Sequence, residues 1–120
     1  MSFMLTIGVD PFRTFEQHVQ PKFYAFTKFI VSCTPDYKGE AISKISQPIS
    51  YTSIETVRWT DETGVREITT DFYGNELLIA RASDVAIMLI NNNGYSHIDK
   101  ATIAYLHSLD WETRVVLHWS

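Results

Sequence analysis

The stretch Ile54-Glu55-Thr56-Val57-Arg58-Trp59-Thr60-Asp61-Glu62-Thr63-Gly64-Val65-Arg66-Glu67-Ile68-Thr69-Thr70-Asp71-Phe72 decides the fold. Two runs rich in β-branched and aromatic residues, 54–60 and 65–72, flank Asp61-Glu62-Thr63-Gly64. That loop has the length of a hairpin turn, with glycine where a left-handed backbone is wanted. Setting Thr60 opposite Val65 places Arg58 across from Glu67 and Thr56 across from Thr69 on one face. On the other face Val57 meets Ile68, and Trp59 meets Arg66, a cation–π neighbour. A slip of one residue would turn each apolar side chain to the wrong face, so the pattern specifies this register.

Outward from the hairpin, Gly74-Asn75 marks a second turn leading into Leu77–Ala82. Pairing Phe72 with Leu77 completes a three-stranded antiparallel meander over about 54–82. Its apolar face carries Val57, Trp59, Ile68, Phe72, Leu77 and Ile79, and such a face needs a cover. Residues 84–91 read as a short helix capped by Ser83-Asp84 or as a buried strand, ended by Asn91-Asn92-Asn93-Gly94. Ser96 and Asp99 resemble a capping box at the head of a helix over 97–109, with Ile98, Thr102, Tyr105, Leu106 and Leu109 along one stripe. A last strand over 111–119 puts Val115, Leu117 and Trp119 on one side.

Toward the N-terminus, residues 3–9 read as a strand stopped by Asp10-Pro11. Residues 12–33 carry apolar residues at helical spacing that Pro21 interrupts, and Lys22 to Cys33 is read as a strand. Residues 34–40 are a loop, and 41–48 hold one helical turn before Pro48. The fold class is α+β: a mainly antiparallel sheet with one or two helices packed on one face. No repeat or Pro/Gly/Ser-rich linker divides the 120 residues, so 1–120 is expected to be one domain. A domain of this length buries roughly two-thirds of the surface of its unfolded chain, enough to fold without staples. One cysteine, Cys33, excludes an internal disulfide and a multi-cysteine zinc site.

Ten basic residues stand against fourteen acidic ones, a formal charge of −4, and no two basic residues are adjacent. Duplex binding draws on a face that neutralises several phosphates, which this dispersal does not offer. The acids are thickest between Glu55 and Glu76. No apolar run approaches the roughly 18 residues of a membrane span, and the N-terminus lacks a basic signal region. A soluble, cytoplasmic chain with no membrane partner is the expectation.

Few residues point to catalysis. Cys33 ends an apolar strand and reads as a small buried hydrophobe rather than a nucleophile. His97 and His107, ten apart on one helix, diverge by roughly 80°. His107 and Asp110 can meet at a helix end, but two ligands do not make a metal site. The five glycines are isolated, so no phosphate-binding loop can be drawn. No catalytic residue, no metal and no cofactor is assigned.

Lys22-Phe23-Tyr24-Ala25-Phe26-Thr27-Lys28-Phe29 resembles the RNP1 strand of RNA-recognition motifs at six of eight positions; Phe23 replaces its glycine and Thr27 its branched aliphatic. The resemblance implies single-stranded nucleic-acid binding by Lys22, Tyr24, Phe26 and Phe29, although a core strand is the preferred reading and nucleic acid is not the expected partner.

The functional reading carried forward is a non-enzymatic protein that occupies a larger protein as an inhibitor, an immunity or antitoxin-type partner, or an accessory factor. Its partner has a basic surface, and its contact is the hairpin presenting Arg58, Asp61, Glu62 and Glu67, with Tyr73 nearby. The alternative is an oligomeric binder of a nucleotide-like small molecule through Arg58, Arg66 and Arg81. Self-association is compatible with either.

Overall fold

A computed structural model describes residues 4–14, 22–24, 27–31, 40–91, 97–110 and 112–120. The chain is α+β, with its strands mainly antiparallel. In order it forms β1 (Leu5–Thr14), β2 (Lys22–Tyr24), β3 (Thr27–Val31), α1 (Glu40–Ile45), β4 (Ser46–Pro48), a 3-10 turn (Ile49–Tyr51), β5 (Thr56–Asp61), β6 (Gly64–Ile68), β7 (Leu78–Arg81), α2 (Ala82–Asn91), α3 (His97–Ser108) and β8 (Thr113–Trp119). Two sheets result: a five-stranded one in the order β3-β1-β8-β7-β4, and a three-stranded one in the order β2-β5-β6.

Alternation along β8 explains how the layers stack. Val115, Leu117 and Trp119 join Leu5, Ile7 and Val9 of β1 in a core completed by Val85, Ala86 and Leu89 of α2 and Leu106 of α3. Val116, on the other face, packs with Phe23, Val57, Trp59 and Ile79. The five-stranded sheet is thus covered by helices on one side and by the small sheet on the other. All seven residues of β8 are buried, as a central strand between two layers requires.

The β5–β6 hairpin has the expected register: Val57↔Ile68, Arg58↔Glu67, Trp59↔Arg66 and Thr60↔Val65. Gly64 takes φ 112°, a conformation open to glycine and strained for L side chains. The third strand departs from expectation. After β6 there is one isolated bridge, Thr70↔Glu76, and then β7 leaves to pair with β8 and β4 in the other sheet. The physical cause lies in the sequence of β7. Leu77 and Ile79 belong to one core and Leu78 and Ala80 pack with the other, so both faces need burial, which a meander with one wet face cannot supply. Phe72, expected on the covered face, is 76% exposed. Its N–H donates to the carbonyl of Trp119, and the turn behind it is closed by Asp71.

Other boundaries also shift. β1 does not stop at Asp10-Pro11. Its register with β8 breaks after Val9 and resumes at Thr14↔Thr113, and Pro11 occupies that irregular stretch, where its missing N–H breaks no regular ladder. Where it is described, the Lys22–Cys33 run holds two strands in two sheets: β2 lies parallel to β5, and β3 lies antiparallel to β1. Residues 84–91 resolve as helix. Ala82, Val85, Ala86 and Leu89 of α2 face the core at helical spacing, leaving Ile87 and Ile90 outside. On α3, Thr102 and Leu106 are buried and Tyr105 and Leu109 pack against the core, as the stripe anticipated. Of the expected 34–40 loop, residues 34–39 lie outside the described residues, as does Cys33, and Glu40 instead opens α1.

Candidate functional site

The sequence candidates are not drawn to one place. Arg58, Glu62 and Glu67 are exposed on the hairpin, and the side chain of Asp61 lies outside the described residues. Tyr73 stands beyond the hairpin's base rather than near its tip, half-buried against the helix-side core. Arg58 and Arg66 point to opposite faces of the hairpin by their register, and Arg81 belongs to the other sheet, opposite Arg114. Lys22 and Tyr24 sit on β2 and Phe29 on β3, so the 22–29 segment is not one stacking strand; Phe26 lies outside the described residues. Phe23, the position that departs from the RNP1 pattern, is fully buried between the sheets. Among the described residues no three His, Cys, Asp or Glu side chains cluster as a metal would need, and no helix is long and apolar enough to cross a membrane.

A different site appears at the hairpin's base, where the 3-10 turn and the 69–76 segment approach each other. Pro48 leads into the 3-10 turn, whose Ile49 N–H donates to the Leu77 carbonyl at 3.0 Å. The next amide, Ser50 N–H, donates to Glu76 Oε1 at 2.6 Å and ties the two segments by a charge-assisted bond. Thr52 closes the turn: its hydroxyl donates to the Ile49 carbonyl at 2.7 Å and accepts from Ile54 N–H at 3.1 Å. On the opposite side Asp71 Oδ1 accepts from the amides of Tyr73 at 2.8 Å and Asn75 at 3.1 Å. Gly74 completes that turn at φ 79°. These local bonds follow from residue types that favour side-chain-to-backbone turns.

Between the two segments lies an open groove of about 830 Å³. It is lined by five hydroxyl side chains, from Ser50, Thr52, Ser53, Thr69 and Thr70, and by the carboxylates of Glu55 and Glu76. Ile49 and Ile54, each 3% exposed, anchor it to the inter-sheet core. Among the described residues no lysine or arginine lines it. Each wall segment also carries an aromatic that projects into solvent. Tyr51, between Ser50 and Thr52, is 79% exposed; Phe72, between Thr70 and Gly74, is 76% exposed. Chemically this surface offers carboxylate and hydroxyl oxygens, with exposed aromatic faces beside them. Sequence reading noted the acidic crowding from Glu55 to Glu76 but placed the partner contact on the hairpin itself, with Arg58, Asp61, Glu62 and Glu67. The bond from Ser50 to Glu76, 26 residues apart, has no local signal.

Searches against family models, curated proteins and solved structures found no match to this chain.

Proposed function

We propose that this chain is a small non-enzymatic binding protein that acts by occupying a larger protein partner. The contact is the groove at the hairpin's base, continued along the exposed hairpin with Arg58, Glu62 and Glu67. One observation carries the reading. The two most exposed large apolar side chains among the described residues, Tyr51 and Phe72, stand in the two segments that flank one acidic, hydroxyl-bearing groove, adjacent in sequence to residues that line it. Phe72 packs edge-on against Tyr73 at 5.4 Å between ring centres but keeps most of its surface in solvent, and aromatic side chains are enriched at protein interfaces. The partner segment is extended and carries Lys or Arg, because the charged residues lining the groove among those described are Glu55 and Glu76 and the chain's formal charge is −4.

The test compares wild type with a Tyr51→Ala/Phe72→Ala variant as bait in native lysate of the host. Wild type is expected to retain one protein in a one-to-one complex through a Lys- or Arg-bearing segment located by cross-linking. The double variant is expected to lose roughly 30-fold or more in affinity if each aromatic contributes more than about 1 kcal/mol. Retention of nothing by wild type, or equal retention by both, contradicts the proposal.

A further inference from the structure

We propose that β6 takes up a strand of the protein partner along its outer edge, Gly64–Ile68, so that the partner's extended segment continues the small sheet before it enters the groove. The inference rests on the groove reading above and adds to it the way the partner's main chain is held. It starts from a strand that the fold begins and withdraws. Residues 75–77 lie against 69–71 as a third strand would: Leu77 N–H donates to the Thr69 carbonyl at 3.0 Å, and Asp71 N–H to the Asn75 carbonyl at 2.8 Å. The chain then leaves as β7 for the large sheet. In the register of the Thr70↔Glu76 bridge a meander would lay residues 78–82 beside 64–68. That place holds no strand among the described residues, and Gly64 through Glu67 are exposed. Nothing stands within 4 Å of a Cβ added at Gly64, and Val65 is 58% exposed.

Register sets which main-chain groups face outward. Asp61↔Gly64 closes a two-residue loop, and a pair that closes such a loop is hydrogen-bonded to itself. Gly64, Arg66 and Ile68 therefore turn their main-chain groups to β5, while Val65 and Glu67 turn theirs to the outer edge. Thr69, next in that alternation, gives its carbonyl to Leu77 on the same side. Strand addition works through main-chain groups, so it asks no side-chain contact of Arg66 or Glu67 to be given up. Two observations name the occupant. From Ile68 the chain runs directly into Thr69 and Thr70, which line the groove, so one extended segment spans edge and groove together. A second copy of this chain is a poor fit. A two-fold axis between two β6 strands pairs residues of the same face, and the one register that overlaps all of Gly64–Ile68 sets Arg66 opposite its own copy. The occupant is a strand of the larger protein.

The probe is an acetylated, amidated peptide of about ten residues alternating Lys and Val, long enough to span edge and groove, added to the ¹⁵N-labelled full chain. Saturable binding is expected, with exchange at the Val65 amide slowed at least about ten-fold and that at Arg66 and Ile68, whose amides already face β5, changed less. Val65→Pro removes the outward donor without touching the β5 ladder and should weaken the peptide roughly ten-fold, whereas Val65→Thr should bind as wild type does. No saturable binding, unchanged exchange at Val65, or equal affinity of a folded Val65→Pro overturns strand addition; if Val65→Pro does not fold, the exchange pattern of wild type decides. The groove reading fails separately. Peptide-induced shifts at residues 50–55 and 69–76 that vanish in Tyr51→Ala/Phe72→Ala, without protection of Val65, leave the groove standing and remove the added strand.

Discussion

Trp59 and His118 lie with ring centroids 4.7 Å apart and planes inclined by 14°, one on the small sheet and the other on the central strand of the large one. Two further residues, Phe23 and Arg114, cross the same interface, the guanidinium carbon 5.9 Å from the ring centre. These contacts join layers whose residues are remote in sequence, so truncating one of them should be felt by the whole fold. Trp59→Ala should cost about 3–5 kcal/mol in urea unfolding, and Trp59→Phe less than half of that, because a ring remains to face His118. A loss below about 1 kcal/mol for the alanine variant would show that the sheets are held together by something else. Backbone geometry gives a second residue-scale prediction. At Gly74 nothing stands within 4 Å of an added Cβ, so Gly74→Ala carries the torsional cost alone, about 1–2 kcal/mol, while Gly74→Asn should cost less. Equal stability of all three proteins would contradict the left-handed turn. The glycine turn was legible in the sequence. The Trp59–His118 stack was not, since a local reading offers Trp59 its cross-strand neighbour Arg66 and has no access to a residue on the last strand.

At the scale of elements, position within a sheet sets protection. β8 is central and wholly buried, whereas β6 pairs with β5 alone among the described residues and exposes Gly64 through Glu67. Amide exchange should therefore be slowest in Val115–Leu117, approaching the global unfolding limit, and at least about 100-fold faster in Val65–Glu67. Comparable protection in both strands would mean that β6 is covered. The exposed Arg58↔Glu67 pair on this hairpin should show a coupling below about 1 kcal/mol in a double-mutant cycle, so its value to the fold is small. The hairpin was readable because loop length, glycine and cross-strand chemistry all specify one register. The neighbours of β7 were not readable because Leu77 to Ala80 are apolar at consecutive rather than alternate positions. That pattern marks burial on both faces without naming the neighbours, and Gly74-Asn75 then resembled an ordinary hairpin turn although Asp71 organises it as a side-chain-closed corner. α2 could not be separated from a strand for the same reason: six consecutive apolar residues from Val85 to Ile90 suit either period, and only the helix leaves Ile87 and Ile90 together outside.

For the molecule as a whole, helices, large sheet and small sheet form three layers, and the proposed protein-binding surface lies where the small sheet's hairpin springs from its base. The groove draws on residues 49–55 and 69–76, which are far apart in sequence and meet through the Ile49–Leu77 and Ser50–Glu76 bonds. Composition alone could register the acidic bias and the surplus of aromatics, but not that Tyr51 and Phe72 would be pushed outward while Phe23 and Trp59 filled the interior. Because Tyr51 and Phe72 are exposed, replacing both with alanine should leave the melting temperature within about 3 °C of wild type while removing the binding they support. A large drop in melting temperature would reassign them to stability. The most direct test of the binding role is native mass spectrometry on the protein drawn gently from its own host, at low salt and without denaturation. The expected spectrum contains the 13.8 kDa chain in a one-to-one complex with a second, larger protein, and the complex disappears with Tyr51→Ala/Phe72→Ala. A bare 13.8 kDa chain, integer multiples of it, or a chain carrying only a small-molecule adduct would contradict a function exercised by occupying another protein.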